Sequence, residues 1–173
     1  MVPISPLLFA LSAASAAPIT LDAGIGGGVA SDASPAVVGH GGVRINTEPL
    51  AFIAGAREGW GGGEHRVLSN VYFGVELPER RGVNLALLFS HNHEVPWERF
   101  LEEPIGSMFG VSEEIRHRSG LELRLSKRHG EVLGFEPLEG WWSASAIALP
   151  GSEGPTGYLL LEAGLGLGVG RFE

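Results

Sequence analysis

The 173-residue chain predicts an all-β protein, an antiparallel up-and-down β-barrel of about eight strands. Three observations carry that expectation. Apolar and polar residues alternate with period two along most of the chain, while helical spacing is scarce. The alternating segments have strand length and are separated by turn-forming residues. The 27 glycines, about twice the usual share, supply tight turns and crowded backbone positions.

The N-terminus reads MVPISPLLFALSAASAAPITLD. An apolar run from Leu7 to Leu11 leads into small residues, and Ala14-Ser15-Ala16 has the form of a signal-peptidase site. Residues 1–16 are therefore read as a signal peptide, and 17–173 as the barrel domain of an exported protein. No basic n-region precedes the apolar run, and no later stretch is long enough for a membrane-crossing helix.

The first strand sets Ile19, Leu21, Ala23, Ile25 and Val29 against Thr20, Asp22, Gly24, Gly26 and Gly28. The second, about 37–46, sets Val37, Val43 and Ile45 against His40, Arg44 and Asn46. A third, about 50–57, is short. The fourth sets Val67, Val71, Phe73, Val75 and Leu77 against Arg66, Asn70, Tyr72, Gly74 and Glu76. The fifth aligns Val83, Leu85, Leu87 and Phe89. A sixth runs from about 114 to 126, a seventh through GWWSASAIAL, and the eighth is GYLLLEAGLGLGVGRFE, with glycine on the even positions from Gly164 to Gly170. Residues 131–149 are long for one strand and carry Pro137, so a bulged strand or an additional hairpin are both open there, with ten strands as the upper count.

The connections differ by parity. Those after odd strands are SDASP, EGWGGGE, a long piece from about 92 to 112, and PGSEGPT; those after even strands are TEP, PERR and KRHG. In an up-and-down barrel this sorts long loops to one rim and tight turns to the other.

The sixth strand places Leu121, Leu123 and Leu125 on one face and Glu114, Arg116, Arg118, Glu122 and Arg124 on the other. In a soluble sandwich or lipocalin-like barrel, one that could bind a small apolar ligand inside, the leucines point inward. In a membrane-spanning barrel they face lipid, and Arg and Glu pair in the lumen. Glycine on the polar faces of the first and last strands fits a narrow, filled interior. Trp60, Trp97, Phe100, Trp141 and Trp142 near strand ends fit an interfacial girdle.

On these features the chain resembles the small eight-stranded outer-membrane β-barrel proteins of Gram-negative bacteria. The most specific piece is the last strand, which looks like the signal such proteins present to the outer-membrane barrel assembly machinery; here Phe172 is penultimate, before Glu173. The resemblance implies location in the cell outer membrane, outer-membrane lipid as surroundings, and a structural or surface-interaction role through extracellular loops. It implies no cofactor.

A net charge of −8 argues against nucleic acid as a partner, and the absence of cysteine excludes disulfides and thiolate metal sites. Two short patterns could carry chemistry. In SHNHE, His91 and His93 project to one face, a spacing that suits metal ligation, with Glu94 or His65 as a possible third ligand. In HRS, His117 and Ser119 share a face, as a base and nucleophile for acyl transfer would. That pair faintly resembles the His-x-Ser of lipid A deacylases, small outer-membrane barrels, although Gly120 replaces that family's asparagine. The resemblance implies a lipid-active hydrolase as the alternative function. The commoner roles of such residues, rim histidines and a polar pair, favour a protein that is not an enzyme.

Overall fold

The computed structural model describes residues 19–61, 66–111, 114–151 and 157–170. The expected signal peptide, His65, Phe172 and Glu173 lie outside these residues. Eight strands follow one another: β1 (Ile19–Ala30), β2 (Pro35–Thr47), β3 (Leu50–Gly61), β4 (Arg66–Glu76), β5 (Asn84–Pro96), β6 (Arg116–Val132), β7 (Phe135–Ala148) and β8 (Gly157–Val169). Each pairs antiparallel with the next, and β8 returns to β1, closing the barrel. The closing seam runs from Ile19↔Val169 to Ala30↔Tyr158. Closure removes every free sheet edge, so each strand's backbone groups find partners on both sides.

Parity decides what each side chain meets. The odd residues of β1 and β8, including Ile25, Val29, Leu159, Leu161, Leu165 and Leu167, lie on the outer surface and are exposed. So do Phe52, Phe73, Leu85, Leu87, Phe89, Leu121, Leu123 and Leu125 on the strands between. The even residues of β8 turn inward, with Leu160 and Glu162 buried. Apolar side chains thus coat the outside, while the inside holds charged side chains together with two apolar clusters, one around Leu68, Ile147 and Leu160 and one around Ile53 and Leu88.

Large inward side chains are accommodated by paired glycines. Gly24 faces Gly164 across the closing seam. A Cβ on either would lie 2.7 Å from Cζ2 of Trp141. Gly42 faces Gly55 in the β2–β3 ladder, and a Cβ there would lie 2.8 Å or 2.3 Å from the Tyr72 hydroxyl. Each ring thus occupies the volume that two side chains would have taken. In the glycine-versus-apolar alternation of the first and last strands this accounts for Gly24 and Gly164, while a Cβ at Gly26 would lie 2.5 Å from Cγ of Glu162.

Several expectations change. β3 extends to Gly61, so the EGW segment belongs to the strand and not to the following loop. Arg57 and Glu58 of that strand stay in pleat with Ile53, which keeps the ladder to β4 regular. β6 begins at Arg116; Glu114 precedes it as an exposed turn residue with φ 64°, so it does not join the lumen. Residues 131–149 form neither an extra hairpin nor one strand. The β6–β7 turn at Leu133 and Gly134 interrupts them, both with positive φ. Register shifts around Glu131 absorb Pro137, which falls between the pairs Val132↔Phe135 and Glu131↔Glu139. Trp141 points inward and is buried, because it shares parity with Ser143 and Ser145. Trp60, Trp97 and Trp142 are exposed, but Trp142 lies well inside β7, opposite Lys127 and Ala163.

The rims remain unequal. Residues 97–115, with the short helices α1 (Trp97–Glu102) and α2 (Pro104–Met108), join β5 to β6 on one rim, as 149–156 join β7 to β8. On the other rim 48–49 and 133–134 make tight turns, although 77–83 outrun 31–34 opposite.

Candidate functional site

Two constellations stand out, one inside the barrel and one on its outer wall. At the centre of the lumen, Arg57 is 1% exposed and makes a forked contact with two carboxylates. Its Nε and Nη2 donate to Glu162 at 3.0 and 2.8 Å, while Nη1 and Nη2 each donate to Glu122 at 2.8 Å. Glu122 also accepts from Arg124 Nε at 2.9 Å and from Ser145 Oγ at 2.8 Å. Glu162 meets His40 Nδ1 at 2.8 Å, and His40 Nε2 meets the Tyr72 hydroxyl at 2.6 Å. The Arg124 and Arg57 guanidinium groups lie 4.2 and 4.7 Å from the Tyr72 ring centroid. These planar, charge-assisted contacts suit arginine and would not be reproduced by lysine.

Further charged layers lie toward each rim. Arg44, Asn84 and Ser126 converge on Glu76, and Arg128 joins Asp22 to Glu139. Near the other rim Glu94 accepts from Arg118, from Asn92 at 2.8 Å and from the Tyr158 hydroxyl at 2.7 Å. The expected lumen members Arg118, Glu122 and Arg124 are therefore in place. A lone buried charge in such surroundings would be costly, but paired and hydrogen-bonded ones are held.

Two voids in the lumen are each about 20 Å³, room for roughly one water. Neither of these two voids holds more than that unless its lining moves. An eight-stranded barrel is narrow enough for side chains to fill, as they do here.

The second constellation is on the outer face of β5 and β6, beside the 97–115 connection. His91 and His93 share parity with Leu85, Leu87 and Phe89, and His117 and Ser119 share it with Leu121. The register sets His91 opposite Ser119 and His93 opposite His117, a block of four. His91 Nδ1 is 2.6 Å from Ser119 Oγ. The His93 ring centroid lies 4.6 Å from those of both His91 and His117.

The pattern continues sideways. Ser69 lies opposite His93 on β4 and donates to Glu58 of β3 at 2.7 Å. The connection folds down over this row. The Met108 carbonyl lies 3.3 Å from Ser69 Oγ. Gly110, with φ 73°, passes so close that a Cβ would lie 2.4 Å from His93 Cε1.

Sequence order separated what the barrel joins. His91 and His93 were expected to share a face, as were His117 and Ser119, and both pairs do. The sheet merges them into one cluster. Ser119 bonds to His91 across the strands, not to His117 two residues away. Successive same-face residues on one strand are about 7 Å apart, while directly opposite ones have Cβ atoms about 5 Å apart. Glu94 is not a third ligand beside the histidines: it is 1% exposed, points into the lumen and is engaged by Arg118. The residue in that position is His117. Among the described residues no carboxylate is hydrogen-bonded to the three rings, and the partner of His91 is Ser119.

Fold and site together define a closed eight-stranded antiparallel barrel with a charged, filled lumen, an apolar exterior and a histidine cluster on its wall. No family model, curated protein or solved structure matches the chain.

Proposed function

We propose that the chain is an outer-membrane β-barrel of a Gram-negative bacterium with a structural or surface-interaction role. The supporting observation is the apolar belt: exposed Leu, Ile, Val and Phe side chains occur on the outer face of strand after strand around the closed sheet. In water so large a continuous apolar surface would drive association, whereas in a bilayer it is the required surface. The strands, of 11 to 17 residues, reach or exceed the roughly 9–11 needed to cross a bilayer. No helix among the described residues is long and apolar enough to cross a membrane.

The filled lumen argues against transport. Function then falls to the rim carrying the β5–β6 connection. There Leu101, Ile105, Phe109 and Val111 are exposed, and the segment rests against the outer wall through Met108 and Gly110. Export by the 1–16 segment and insertion by the barrel assembly machinery complete the reading.

Cell fractionation tests it. The protein is expected in the outer-membrane fraction, migrating faster unheated than boiled on a denaturing gel and giving no conductance in planar bilayers. Recovery in the soluble periplasmic fraction without heat-dependent migration would contradict the proposal.

A further inference from the structure

We propose that His91, His93 and His117 form a binding site for a divalent transition-metal ion on the outer wall of the barrel. One nitrogen from each ring lies within 4.8 Å of those of the other two. In a tetrahedral zinc site, with Zn–N of about 2.0–2.1 Å, ligand nitrogens are about 3.3–3.4 Å apart. The rings need to close by at most about 1.5 Å, which side-chain rotation covers without moving the sheet. An all-imidazole set suits zinc, copper or nickel and not calcium or magnesium, which take oxygen ligands.

The surroundings offer His91 a partner for its second nitrogen, as a metal-ligating imidazole requires. Ser119 Oγ lies 2.6 Å from His91 Nδ1; by accepting the Nδ1 proton it would leave Nε2 as the ligand atom. Gly110 lets the connection close over His93 without a side chain intervening. His93 and His117 are directly paired across β5 and β6, so the metal would staple these strands beneath the connection that joins them. Three histidines leave a fourth position for water or an incoming ligand. This inference rests on wall geometry alone and holds whichever membrane or compartment contains the barrel.

The test uses the full chain without a histidine tag, folded in detergent and stripped with a chelator. Titration with zinc chloride should show one tight equivalent, and cobalt(II) should give the intense visible bands of tetrahedral coordination. His93→Ala and His117→Ala should each weaken zinc binding at least 100-fold. Ser119→Ala should weaken it about tenfold, as expected for a residue that orients a ligand. Heat-dependent migration of the variants reports that they fold. In the unmutated protein, zinc should shield all three histidines from diethyl pyrocarbonate, read by mass spectrometry, so the test does not depend on any variant folding. Absence of a zinc equivalent, or binding that survives replacement of all three histidines, would overturn the proposal.

Discussion

Replacing Arg57 with leucine removes the cation at the centre of the lumen while keeping an apolar side chain in its place. Arg57 makes four contacts to Glu122 and Glu162, and each such charge-assisted bond contributes about 1.5–3 kcal/mol in isolation. These do not add. Glu122 retains Arg124 at 2.9 Å and Glu162 retains His40 at 2.8 Å, so neither carboxylate is fully abandoned. Removing one partner of a buried ion pair costs about 3–5 kcal/mol, and this residual pairing places Arg57→Leu near the middle of that range, at about 4 kcal/mol. Urea unfolding in detergent, followed by tryptophan fluorescence and extrapolated linearly, measures the loss. Adding Glu162→Gln to the leucine variant leaves the Glu122–Arg124 pair intact and should recover at least about 2 kcal/mol, because the cost lies in uncompensated charge. A loss below about 1 kcal/mol for Arg57→Leu, or no recovery in the double variant, would refute the view that mutual pairing holds the lumen charges.

Other perturbations probe separate parts of the structure. Leu123→Arg puts a charge in the outer belt and should cost about 2–4 kcal/mol in a bilayer-folded barrel, against almost nothing at a water-facing position. Gly42→Ala crowds the Tyr72 hydroxyl and should cost about 1–3 kcal/mol, part of it relieved by Tyr72→Phe in a double-mutant cycle of unfolding free energies. Gly110→Val meets both a positive φ and the His93 ring, so it should lift the β5–β6 connection. Limited proteolysis should then cut residues 97–111 faster while heat-dependent migration of the barrel is unchanged.

Much of this fold was legible because a strand exposes its environment every second residue. Leu121, Leu123 and Leu125 against Glu122 and Arg124 already separate two faces, and the glycines of the last strand already mark one face as crowded. Glu162, lone among those glycines, faces the lumen and meets Arg57. Which face was outside could not be read from any one strand, since alternation is the same for a barrel turned either way. The meeting of Arg57 from β3, Glu122 from β6 and Glu162 from β8 in the interior decides that, and it brings together strands far apart in sequence.

The candidate site was legible only in halves. Parity aligned His91 with His93 and His117 with Ser119, but the cross-strand register that joins them depends on how the 97–115 connection spends its length. Parity did contain one unused signal: Glu94 follows His93 directly and so must face the opposite way. Trp141 is similar, since its place beside Trp142 means that only one of the two rings can lie outside. Glu114 was lost to the lumen because a left-handed turn residue ends the pleat before it can be assigned a face.

A membrane-spanning barrel requires its outer belt to meet hydrocarbon and not water. The chain has no cysteine, so single cysteines can be placed at will and carry one nitroxide each. Labels at Leu87, Leu123 and Leu165, in protein reconstituted into liposomes, should be relaxed strongly by molecular oxygen and weakly by a water-soluble nickel chelate. Strong relaxation of those three by the nickel chelate, with weak relaxation by oxygen, would contradict it.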